Sequence, residues 1–99
     1  MKTKEIYLSL LGEVIRQVDC TESELMCSHE QDKVEARVAL VDCMYKLGMR
    51  DALISHLTGI NKKTVNRYHN SSFSRQRQSF PLRCLMAELE FYISTELSH

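Results

Sequence analysis

Apolar residues return at every third or fourth position through three long stretches of this 99-residue chain, and no two-residue alternation of a strand runs for any length. Ile6, Tyr7, Leu10, Leu11, Val14, Ile15 and Val18 trace one face of a first helix. Val34, Val38, Leu40, Val41, Met44, Tyr45 and Leu47 trace a second, and Leu82, Leu85, Met86, Leu89, Tyr92, Ile93 and Leu97 a third. Shorter helical patterns lie between Met49 and Leu57 and around Val65 and Tyr68. A chain patterned this way is all-α, with about five helices. At 43% apolar content it suits one domain with one core: an N-terminal interface helix in residues 1–20, a long helix and the unit that follows it in 28–70, and a C-terminal helix in 81–98.

Local signals punctuate these helices. Thr3 is available to cap the first, Thr21 with Glu24 offers a capping box, and Ser28 with Gln31 offers another. Gly48 stands where a C-terminal cap is expected, and Pro81 suits the first turn of the last helix. Gly12 costs a helix about 1 kcal/mol relative to Ala, so either packing holds the helix or a neighbouring backbone comes close there. "NSSFSRQRQSF", Asn70 to Phe80, is polar, Ser-rich and basic, and reads as a loop or mobile arm. The first and last stripes exceed what so short a monomer easily buries, so one of them is expected to form an interface.

Thirteen basic and thirteen acidic residues cancel overall, but they are segregated along the chain. Residues 1–45 hold five Lys/Arg against nine Asp/Glu, residues 46–83 hold eight against Asp51 alone, and Glu88, Glu90 and Glu96 follow. Surplus positive charge is thus concentrated in one segment, where a polyanion could sit.

That segment contains "LTGINKKTVNRYHN", Leu57 to Asn70. A helix-turn-helix needs a small residue where two short helices touch, a Gly where the backbone turns, and apolar residues around the turn. Ser55, Gly59, Ile60, Ile54, Val65 and Tyr68 meet those needs. The outward positions of the second helix are Asn61, Lys62, Lys63, Asn66, Arg67 and His69. Asn can pair with both hydrogen-bonding groups of adenine, and Lys or Arg can reach guanine or a phosphate. Thr64 could touch phosphate or a thymine methyl, or satisfy a backbone carbonyl. Arg75 and Arg77, on the expected arm, would track the DNA backbone or enter a minor groove. The expected partner is double-stranded DNA.

"EARVALVDCMYKLGMRDALISHLTGINKKTVNRY", Glu35 to Tyr68, resembles the helical region of the bacterial flagellar master activator's C and D subunits. The likeness lies in Glu35-Ala36-Arg37, in Met44 to Gly48, in Arg50 and in the Thr58 turn, and extends over about sixty residues. The short length and the Ile6 to Val18 helix look more like the dimerising D subunit, and similar activator pairs occur on conjugative plasmids and integrative elements. The resemblance implies a transcriptional activator, working as a homodimer or in a hetero-oligomer with a second, larger activator subunit, that binds promoter DNA and recruits RNA polymerase. The C subunit's four-cysteine zinc module has no counterpart here, so zinc is not carried over. Thr58 to Asn70 also looks like the heads of lactose-repressor-type proteins.

Other classes find less support. No Ser/His/Asp grouping, Walker-type glycine loop or metal-ligand cluster can be assembled, so neither an enzyme nor a cofactor is expected. Cys20, Cys27 and His29 form only a sparse metal set, while Cys43 and Cys84 are expected to be buried as small apolar residues. His56 is placed on an outer helix face. No uncharged stretch approaches the roughly 18 residues a membrane span needs, and no leader is read at Lys2, Lys4 and Glu5, so a cytoplasmic protein is expected. A competing reading is a helical protein-interaction module that modulates another regulator without reading DNA.

Overall fold

The computed structural model describes residues 2–97, so the end of the expected last helix at Ser98, and His99, lie outside the described residues. They form six α-helices and a terminal π-helical turn, and no strand among the described residues. The helices are α1 (Thr3–Val18), α2 (Glu22–Cys27), α3 (Gln31–Lys46), α4 (Asp51–Thr58), α5 (Lys62–Gln78) and α6 (Phe80–Tyr92), the turn being Ile93–Leu97. The all-α reading stands, with one helix more than the apolar stripes marked. None of these helices is long and apolar enough to cross a membrane.

The middle helix explains the architecture. Every residue of α3 from Glu35 to Met44 is buried, because α1, α2, α4, α5 and α6 all pack on it. A helix covered on all sides must find partners for whatever polar groups it carries. Arg37 donates from one terminal guanidinium nitrogen to the Leu25 carbonyl at 2.6 Å and from Nε to the Tyr68 hydroxyl at 3.4 Å. Glu35 accepts from Gln31 at 3.0 Å, and Asp42 lies 3.6 Å from the Lys46 ammonium. Lys46 also donates to Glu90 on α6.

The outer helices close the core with the stripes the sequence displays. Tyr7, Leu10, Leu11 and Val14 of α1 and Leu82, Met86 and Leu89 of α6 are buried within the chain, with Ile6, Ile15, Val18, Leu85, Tyr92 and Ile93 packed around them. Neither stripe is left over for an interface, contrary to expectation. Cys43 is buried, which pushes its thiol up to about 12, whereas Cys84 is exposed because it falls on the opposite side of α6 from Leu82 and Met86.

Several boundaries differ from the sequence reading. Thr21 and Glu24 do form the reciprocal capping box of α2. Thr3, however, is the first helical residue of α1 and Lys2 its N-cap, with no side-chain cap. Ser28 ends α2 rather than starting α3, whose N-cap is Glu30; the Ser28 hydroxyl instead accepts from the Glu30 amide at 3.1 Å. Gly48 has φ +93 just beyond α3, the left-handed position that ends a helix. At Gly12 an added Cβ would meet nothing within 4 Å, so no backbone approaches it.

The largest correction concerns Asn70 to Phe80, which through Gln78 is helix rather than a mobile arm. Ser71 and Ser74 donate to carbonyls three residues back, Arg75 donates to Ser71 at 3.0 Å and Gln76 to Ser72 at 2.8 Å, so the polar side chains hold the helix from outside. Ser72, just 2% exposed, lets α5 lie close against the rest of the bundle. The break comes at Ser79, whose hydroxyl caps α6 by accepting from the Leu82 amide, with Pro81 in the first turn.

Candidate nucleic-acid interface

The α4 to α5 connection is short and fully bonded. Gly59 caps α4 in the left-handed region at φ +77, its amide donating to Ser55 O at 2.9 Å. The Ser55 hydroxyl donates across the turn to the Ile60 carbonyl at 2.6 Å, so the small residue at the helix contact also fastens it. Thr58 donates to Ile54 O at 2.7 Å and accepts from the Ile60 amide at 3.1 Å. Asn61 then caps α5 by accepting from the Lys63 amide at 2.8 Å. Ile54, Val65 and Tyr68 are buried beneath, and Ile60 packs at the edge.

A Cβ at Gly59 would meet nothing within 4 Å, so its requirement for glycine is one of backbone conformation alone. Gly59→Val is therefore expected to lose about 1–2 kcal/mol in urea unfolding, and Gly59→Asn to lose much less, because Asn tolerates the left-handed region.

Asn61, Lys62, Lys63 and Asn66 come together around an open concavity, and Arg67 and Asn70 are exposed on the same helix. Arg67 sits 6.0 Å over the Tyr68 ring. Among the described residues Lys62, Lys63, Arg67, Arg75 and Arg77 have no carboxylate within ion-pair distance.

Three of the expected contacts lie elsewhere. Thr64 is half-buried and faces a groove with Cys27, His29, Arg37 and Tyr68. Arg75 and Arg77 project from the C-terminal part of a helix rather than from an arm, Arg75 held by Ser71 and Arg77 lying 5.9 Å over the exposed Phe73 ring. His69 turns toward α3, stacked on Tyr45 at 3.8 Å, with Nδ1 3.3 Å from Asp42 but not aligned for a hydrogen bond. His56 is exposed, as expected.

Asp51 is the residue beside the candidate site that the sequence reading passed over. It opens α4, and its carboxylate accepts from the Tyr45 hydroxyl and, at 3.1 Å, from the Asn66 amide, while Asn66 accepts from Asn70 at 2.9 Å. The Tyr45 hydrogen bond first, then Asn66 and the positive charge of Lys62, hold the Asp51 carboxyl below its ordinary value. Burial and the neighbouring carboxylate push the Tyr45 hydroxyl up to about 12, so it stays a donor across the neutral range. Asn66 is thereby pinned, with part of its hydrogen-bonding capacity already used. The one signal was that Asp51 is the sole acid among eight basic residues in 46–83.

Among the described residues no group of three or more His, Cys, Asp or Glu is placed to hold a metal ion. Compared with protein-family models, with curated proteins and with solved structures, the chain matches none.

Proposed function

We propose that α4, its turn and the start of α5 are a helix-turn-helix that docks on double-stranded DNA, and that the chain is a transcriptional regulator. The reading is supported above all by one observation: Lys62, Lys63 and Arg67 stand exposed, with no carboxylate within ion-pair distance among the described residues, on a helix whose start is fixed by a bonded turn. A rigid element presenting exposed cations suits a phosphate backbone, and the Lys62 and Thr64 amides of the first turn, unlike that of Lys63 which Asn61 caps, would face a phosphate placed there. Asn66 contributes less to base reading than its position promised, since Asp51 and Asn70 hold it. Activation through a larger partner subunit and RNA polymerase, as the flagellar-activator resemblance implies, is part of the same proposal. The protein-interaction reading draws on Asp51, whose negative charge sits where a polyanion would approach.

Fluorescence anisotropy with a nonspecific duplex at low salt separates the two. Lys63→Ala and Arg67→Ala should each weaken binding and lower the slope of log affinity against log salt by about 1 for each residue that meets a phosphate. Binding unchanged in both variants, or no binding by the parent, would replace DNA reading with the interaction module.

A further inference from the structure

The outer face of α6 carries a second apolar stripe. Phe80, Cys84, Ala87 and Phe91 follow one another at steps of four, three and four, the spacing of a helical seam. All four are exposed, the two phenylalanines at 67% each, while Leu82, Met86 and Leu89 serve the core from the opposite side. At the Phe91 end α1 adds Leu8, also exposed, beside Ser9, whose hydroxyl bonds to that of Tyr92.

We propose that this face is a self-association surface on which α6 pairs antiparallel with α6 of a second copy. The order is palindromic, large, small, small, large. A two-fold axis between Cys84 and Ala87 sets each Phe80 against Phe91 of the second copy, and each Cys84 against Ala87, whose small side chains let the helices approach. The same axis makes like edges face each other. Arg83 and Glu90 share one edge of the seam, so each Arg83 meets Glu90 of the second copy within about one turn, where that half-exposed carboxylate, already paired with Lys46, would serve both cations. The edge with Arg83 and Glu90 carries both signs and the other only Glu88, which suits a second copy better than a polyanion, and antiparallel packing also opposes the helix dipoles. The seam is only about 17 Å long, which fits association in the micromolar range rather than a permanent dimer. This pairing does not rest on DNA reading by α5.

Sedimentation equilibrium over a micromolar concentration series tests it, with circular dichroism showing that each variant is folded. The parent chain should dimerise, and Ala87→Arg should weaken the dimer about tenfold or more. Arg83→Glu alone should weaken it, and Arg83→Glu with Glu90→Gln, which lifts the repulsion without setting a second cation beside Lys46, should recover part of it. A parent monomeric throughout, or a dimer indifferent to Ala87→Arg, overturns the surface. Recovery of Arg83→Glu by Glu88→Gln instead of Glu90→Gln overturns the antiparallel arrangement, because a parallel pair brings those opposite edges together.

Discussion

Leu40→Ala should destabilise this protein by about 3–5 kcal/mol, the largest effect expected of any single truncation here. Leu40 is fully buried in α3, where the other helices wall it on every side. Collapse into the space requires several helices to move at once, which places the cost in the upper part of the range for such cavities. For a chain of this length about 1 kcal/mol shifts the melting temperature by roughly 4–8 °C, so a thermal melt should fall by well over 10 °C. A fall of less than about 1 kcal/mol in urea unfolding would mean that α3 is not enclosed as described.

Arg37→Ala should cost about 2–4 kcal/mol, for a different reason. Arg37 is 6% exposed, and its guanidinium is a joint between the Leu25 carbonyl at the end of α2 and the Tyr68 hydroxyl on α5. Truncation removes the packed stem and leaves a buried carbonyl without its donor. Arg37→Met keeps most of the stem and removes a buried charge whose desolvation is itself unfavourable, so it should cost about half as much. Equal losses in the two variants, measured by urea titration, would assign the whole effect to the polar contacts. Tyr68→Phe completes the comparison, since it removes only the weaker 3.4 Å bond.

These two residues also mark where the sequence was readable and where it was not. The inward stripes of α1 and α6, the Thr21–Glu24 box and the glycine stops at Gly48 and Gly59 were legible because each depends on residues within a few positions. The burial of Arg37 was not legible, because the groups that accept from its guanidinium, the Leu25 carbonyl on α2 and the Tyr68 hydroxyl on α5, are distant in the chain. The helical course of Asn70 to Gln78 was hidden in the same way. Ser, Asn and Gln ordinarily favour turns, and here side-chain bonds one turn apart and the burial of Ser72 override that preference.

At the candidate site the turn and the exposed cations followed from local pattern, whereas the link between Asp51 and Asn66 spans fifteen positions and needed the fold. The apolar outer stripe on α6 was obscured by its neighbour: the stronger leucine pattern on the same helix drew the reading, and two of the four seam residues are small.

The all-round enclosure of α3 has a bearing on how the chain comes apart. Since each of the other five helices rests on it, no two or three of them share a closed hydrophobic interior from which the remainder could be peeled. Loss of any one would open the common centre to water, so a single cooperative unfolding transition is expected, and trimming the chain from either end should remove one wall of the same room rather than a detachable annex.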